Sequence, residues 1–218
     1  MSNAFQIVRD FEAALCEYTG TAYAVTVSSC SMALLLAVKW CHRNSPKMGQ
    51  VTLVEGGGCK VAAGFLVEIP KYTYVSVPQS IIHAGGQPLF RDENWLGLYQ
   101  LKPLPIWDSA RMFTSGMYVP GQYQCVSFHA SKILGDTQGG AILHDNPEAD
   151  KWFRKARFDG RTEGVAPKDD HFDMIGHHCY MSPDVAARLL LKLSVLPKHN
   201  PPLPNDDYPD LSTFEVFK

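Results

Sequence analysis

Lys132 closes the run Ser127-Phe128-His129-Ala130-Ser131-Lys132, and Gly139-Gly140 follows seven residues later. A lysine just past a strand-like segment (122–128), with hydroxyl groups beside it, can present an amine to an aldehyde while the serines hydrogen-bond a phosphate. Those are the needs of pyridoxal 5'-phosphate (PLP). One lysine does not make the case, because lysines are mostly solvated surface charges. Three further segments carry matching chemistry.

Val27-Ser28-Ser29-Cys30-Ser31-Met32-Ala33-Leu34 reads as strand, hydroxyl-rich turn and helix start. The free N–H groups of a first helical turn favour a dianionic phosphate; an ordinary N-cap is the plainer alternative. Asp108 follows Pro105-Ile106-Trp107 at a strand end. A carboxylate there can keep a pyridine nitrogen protonated, so that the ring accepts electrons, or it can cap Ser109-Ala110-Arg111. Tyr72-Thr73-Tyr74 follows Ile69-Pro70 at another strand end, where an aromatic ring can stack on a pyridine or serve only as a core or surface residue.

The elements that must position these groups are read from periodicity. Apolar residues at Phe5, Val8, Phe11, Ala14, Leu15 and Tyr18 recur at helical spacing over 3–18, and Gly20 stops that helix. Further helices are expected at 31–42, 75–84 and 147–158, the last capped by Asn146 with Pro147 in its first turn. A final helix opens at Ser182-Pro183-Asp184, with Val185, Ala186, Leu189, Leu190, Leu193 and Leu196 on its apolar face. Strands are expected at 22–27, 87–92, 104–107, 122–128 and 141–144, and a hairpin pairing 50–54 with 64–69 around Gly56-Gly57-Gly58. That glycine turn precedes Cys59-Lys60 but lacks the spacing of a P-loop. Alternation of strands and helices predicts an α/β domain with a mostly parallel central sheet flanked by helices, and ligands bind such sheets at the carboxyl ends of strands. The domain spans 1–196. Residues 197–218, with five prolines, read as an extended tail.

Composition narrows the class. The 218 residues carry a net charge of −2, with no basic footprint for nucleic acid or anionic membrane. Charged residues are 19% of the chain, below the roughly 25% typical of soluble domains, which favours a partner subunit covering some surface. No apolar run reaches the roughly 20 residues of a membrane span, and the first residues lack the pattern of a secretion signal. The six cysteines are widely spaced without a C-x-x-C and read as reduced thiols of a cytoplasmic protein. His171, His177, His178 and Cys179 fit no common zinc spacing, so no metal is expected.

Taken in order, these segments resemble the DegT/StrS family of PLP-dependent sugar-nucleotide aminotransferases. The family's opening F-E-x-x-x-A-x-Y-x-G-x-x-Y-A-V is matched from Phe11 to Val25, with Cys16 at the family's alanine; its S-G-T-x-A-L turn by Ser29-Cys30-Ser31-Met32-Ala33-Leu34; its P-x-x-T-[FWY] strand end by Pro70-Lys71-Tyr72-Thr73-Tyr74. Gly85-Gly86-Gln87-Pro88-Leu89-Phe90-Arg91-Asp92 and the lysine segment match in register. The resemblance covers roughly residues 5–196.

The resemblance implies the aspartate aminotransferase-like large domain and roles for particular residues. Lys132 is the expected Schiff-base lysine and proton shuttle, Asp108 the partner of the pyridine nitrogen and Tyr74 the ring that stacks on it. Ser127, Cys30 and Ser31 are the expected phosphate holders. The implied reaction moves an amino group from an amino acid, glutamate above all, to a keto group of a nucleotide-linked deoxysugar, through pyridoxamine 5'-phosphate (PMP), in a homodimer. Three positions depart from the family. Arg111 stands where Gln or His is usual, Cys30 where glycine is usual, and His178-Cys179-Tyr180 where N-Y-R is usual. The family's asparagine there reaches the partner subunit's cofactor, a contact that either His178 takes over as a donor or this chain loses. Family members also continue into a smaller C-terminal region that this sequence lacks. A non-catalytic PLP-binding relic, or a partner subunit of a full-length homologue, therefore stands as an alternative. A PLP-dependent sugar dehydratase is a second, opposed by Lys132, because family members performing that reaction carry histidine instead.

Overall fold

The computed structural model describes residues 5–45, 65–205 and 207–218. The expected strand at 50–54 and the glycine turn of the expected hairpin lie outside the described residues.

Local sequence accounts for most elements. Helix α1 (Gln6–Thr19) ends where Gly20 takes a left-handed φ of 80° and returns its N–H to the Cys16 carbonyl. Ser29 caps α2 (Cys30–Asn44), its hydroxyl accepting from the Met32 N–H at 3.2 Å. Asn146 caps α4 (Pro147–Ala156) by accepting from the N–H groups of Glu148 and Ala149. Helices α3 (Ser76–His83) and α5 (Pro183–Ser194) complete the set.

Strands β1 (Tyr23–Val27), β7 (Gly140–His144), β6 (Tyr123–Ser127), β5 (Ile106–Asp108) and β4 (Tyr99–Leu101) form one sheet in that spatial order. Strands β2 (Leu66–Pro70) and β3 (Gln87–Arg91) form a parallel pair. Glu68 and Lys102 exchange backbone hydrogen bonds of 2.7 and 3.0 Å and join this pair to the β4 side of the main sheet. Strand alternation divides the core in two. Val25, Cys125 and Ile142 pack with α2 on one face, while Ala24, Val126, Ala141 and Leu143 pack with α1 and α5 on the other. Buried Glu12 of α1 ties the layers together by accepting from the Thr26 N–H at 2.9 Å and the Arg154 guanidinium at 2.7 Å, and by pairing with Arg157.

The α/β reading stands, but the expectation of a mostly parallel sheet is corrected. Within the main sheet only β5–β6 is parallel; β1–β7, β6–β7 and β4–β5 are antiparallel. The reason lies in the connections. Parallel neighbours need a crossover that carries the chain back to the starting end of the strand; the helix-free segment 109–122 makes one between β5 and β6, whereas 102–105 and the turn over 128–139 simply reverse the chain. Once β7 runs backwards, β1 beside it is antiparallel as well. Among the described residues no helix is long and apolar enough to cross a membrane.

Residues 197–218 do not hang free. Lys198 accepts from the Ser115 N–H at 2.8 Å, Leu203 donates to the Arg111 carbonyl at 2.8 Å, and Leu211 donates to the Lys71 carbonyl at 2.9 Å. Proline-rich sequence removes backbone donors and regular structure, yet leaves the segment able to lie across the body as a strap.

Candidate active site

Lys132 lies in the turn that reverses the chain between β6 and β7. Its N–H donates to the His129 carbonyl at 2.8 Å, and Asp136 donates back to the Phe128 carbonyl at 2.9 Å. The Asp136 carboxylate then accepts from Arg188 at 2.9 Å and Lys192 at 2.8 Å on α5, so the lysine loop is pinned to a helix of the core. Asp108 ends β5 on the neighbouring strand, where the parallel register sets it opposite Cys125.

Both side chains line one cavity of about 280 Å³. The N-terminus of α2 brings Cys30 and Ser31 to the same cavity, the end of β6 brings Ser127, and the loops after β2 and β5 bring Tyr74 and Arg111. Seven of the eight expected site residues therefore meet around one space. His178 is not among them: it pairs with Asp159 at 2.9 Å, its side chain is 71% exposed, and its ring packs edge-on to Tyr180.

The electrostatics of the cavity follow from burial. Asp108 accepts from the Ala110 N–H at 2.9 Å and the Tyr99 hydroxyl at 2.8 Å. Desolvation still raises its pKa above the ordinary carboxylate range, against the pull of those two bonds and of Lys132 and Arg111. A buried carboxylate in this condition calls for a positive partner. Lys132 shifts the opposite way: desolvation first, then the Arg111 guanidinium, lower its pKa and favour the neutral amine, the nucleophilic form. Burial, reinforced by Asp108, pushes the Cys30 thiol well up, so it remains neutral.

The α2 N-terminus at the cavity is the kind of position that favours an anion. The first N–H groups of α2 have no acceptor within the helix. The Ser31 hydroxyl donates to the Ser76 hydroxyl at 2.6 Å, which sets the starts of α2 and α3 side by side. Gly140 lets β7 run close under the same helix start: a Cβ there would lie 2.5 Å from the Cys30 nitrogen.

Several cavity residues escaped the sequence reading. Ser29, His129 and Ser131 lie inside the quoted motifs and could have been taken from them. Ser76 and Trp95 carried no distinguishing pattern. Asp207 and Tyr208 also line the cavity; they come from the proline-rich strap, where nothing local marks a site.

Comparison with known proteins extends this geometry. The model of the DegT/DnrJ/EryC1/StrS aminotransferase family matches residues 2–98 and 117–201. Among solved structures, Helicobacter pylori PseC, an aminotransferase involved in the biosynthesis of pseudoaminic acid, is 18% identical with a TM-score of 0.66 and covers 87% of this chain and 57% of its own. A sugar aminotransferase from Micromonospora echinospora is 15% identical with a TM-score of 0.68, covering 88% and 61%. NtdA from Bacillus subtilis, solved with bound cofactor PMP, is 18% identical with a TM-score of 0.65, covering 87% and 48%. The chain thus spans about 48–61% of the length of these structures. Asp108, Arg111, Asp207 and Tyr208, which line part of the cavity, lie outside the matched segments. The other walls carry the lysine loop, the α2 turn and Tyr74 within the match, and with both segments aligned over most of its length the chain belongs to the DegT/DnrJ/EryC1/StrS aminotransferase family.

Proposed function

We propose that the chain binds PLP and transfers an amino group from an amino acid, glutamate in the first instance, to the keto group of a nucleotide-linked deoxysugar. The carrying observation is the convergence of Lys132, Asp108 and the α2 N-terminus on one cavity. The residues present fit the group. Asp108 is a desolvated carboxylate suited to a protonated ring nitrogen, Lys132 an amine biased toward its neutral form, and the Ser31 and Ser127 hydroxyls line the same cavity as the α2 N-terminus, a position suited to a phosphate. When bound, PLP supplies an aldehyde for the amine and an electron sink for a carbanion.

The chain's own residues then have separable tasks. Asp108 holds positive charge at the ring nitrogen. Lys132 accepts and returns a proton at Nζ. Tyr74, at the cavity mouth, offers a ring face. Cys30, Ser31 and Ser127 orient the phosphate end. Amino transfer in this family carries two half-reactions, the first with the amino acid and the second with the keto sugar.

A second reading, carried by the departures at Arg111 and at His178-Cys179-Tyr180, is a PLP-binding protein without turnover or a partner subunit of a full-length homologue. Visible absorbance of purified protein with PLP, before and after glutamate, separates the readings. The proposed activity requires a band that is absent in Lys132→Ala and bleaches with glutamate. A lysine-dependent band that ignores glutamate selects a PLP-binding protein without turnover, and no band at all leaves only the partner-subunit reading.

A further inference from the structure

All three guanidinium nitrogens of Arg111 are turned to one stretch of the strap. Nε donates to the Tyr208 hydroxyl at 2.9 Å, Nη1 to the Pro204 carbonyl, and Nη2 to the Asp207 carboxylate. The Tyr208 ring also packs on the guanidinium, 4.5 Å from centroid to Cζ. The two partners of the ion pair are unequally placed: the Arg111 side chain is 11% exposed, that of Asp207 66%. A permanently charged, fork-shaped cation therefore sits in the cavity wall, while the anion that satisfies it sits at the solvent edge.

That asymmetry has a chemical consequence. A guanidinium fork matches a planar carboxylate in shape and charge. Arg111 is enclosed and needs an anion wherever it is; Asp207 is largely solvated already, so returning it to water costs little. With the strap in place the cavity holds about 280 Å³, at the small end of the roughly 300–1,000 Å³ of ligand pockets. A cofactor with either substrate needs more room, and the strap is held in part by the exposed Asp207 contact.

We propose that Arg111 binds the carboxylate of the amino-acid substrate, and that Asp207 occupies that position until the substrate displaces it and moves Asp207 and Tyr208 off the cavity. This inference rests on the amino-transfer reading of the site. The Trp95 ring supplies a reporter, since it stacks on Tyr208 with centroids 6.2 Å apart.

The test uses the full chain with PLP, titrated calorimetrically with glutarate, a dicarboxylate that lacks an amine and cannot react. Asp207→Asn removes the competing charge and should bind glutarate about tenfold more tightly, the gain expected if Asp207 occupies Arg111 about nine-tenths of the time. Arg111→Gln should abolish that binding. Tryptophan fluorescence should respond to glutarate in the unsubstituted protein, and Trp95→Phe should remove the response. Unchanged affinity in Asp207→Asn, or no fluorescence response, overturns the proposal, as does an equal or stronger response to inorganic sulfate, which would mark a general anion site. The Lys132-dependent visible band, recorded in the same samples, reports the cofactor reading separately. Its absence defeats that reading, whereas a normal band with unaltered glutarate affinity defeats this inference alone.

Discussion

Tyr99 and Asp108 are register partners on the antiparallel strands β4 and β5, and the Tyr99 hydroxyl donates to Asp108 Oδ2 at 2.8 Å. Thr73 hydrogen-bonds the same hydroxyl, so a buried chain of polar groups runs from the loop after β2 to the cavity carboxylate. A three-residue strand thereby sets the orientation and charge of a site residue.

Removing that donor has a defined sign. The hydrogen bond favours the charged form of Asp108. Tyr99→Phe should therefore raise the Asp108 pKa further and cost about 1–3 kcal/mol, the penalty for a buried acceptor losing its partner. Urea unfolding gives the stability, and a carbon NMR titration of the Asp108 carboxyl gives the shift; an unmoved titration would exclude Tyr99 from tuning the site.

Asp136 makes the lysine loop dependent on pH. The Lys192 hydrogen bond, opposed by desolvation and aided by Arg188, holds its carboxyl well below the usual range. A folded pKa below the unfolded value near 3.9 means that the contribution is present above about pH 4 and is lost as the pH falls further. Asp136→Ala should lose about 1.5–3 kcal/mol at pH 7, the range for hydrogen bonds to a charged group, and the gap from the unsubstituted protein should narrow at pH 3. Equal gaps at the two values would count against this account.

His144 should dominate a second pH window. It is fully buried at the end of β7, stacked on Tyr23, with Asp150 Oδ1 3.9 Å from Nε2. Burial pushes its pKa down to about 4. The unfolded chain therefore binds a proton between about pH 6.5 and pH 4 that the folded chain refuses, and stability falls across that window by about 3 kcal/mol. Thermal unfolding from pH 7 to pH 4 should show this slope, and His144→Phe should flatten it.

Sequence and structure diverge where contacts are distant along the chain. The expected helix ends at Gly20, Asn146 and Pro183 are found in place, because caps and stops act over three or four residues. Strand β4 was missed: Tyr99-Gln100-Leu101 is too short to show alternation, and its partner β5 and the Glu68–Lys102 bridge make it a strand. Lys132, Asp108, Ser127, Cys30, Ser31, Tyr74 and Arg111 were legible as chemistry because each follows a strand end or opens a helix.

By itself the sequence marked most of the expected residues that line the cavity and the local elements that present them, since side-chain type, periodicity and capping are local properties. Only the tertiary structure decided that β7 runs against β6, that Tyr99 reaches Asp108, and that Asp207 and Tyr208 wall the cavity through Arg111. Each of these depends on where the chain returns after a long excursion, which is set by packing across the sheet and by the closing of the strap.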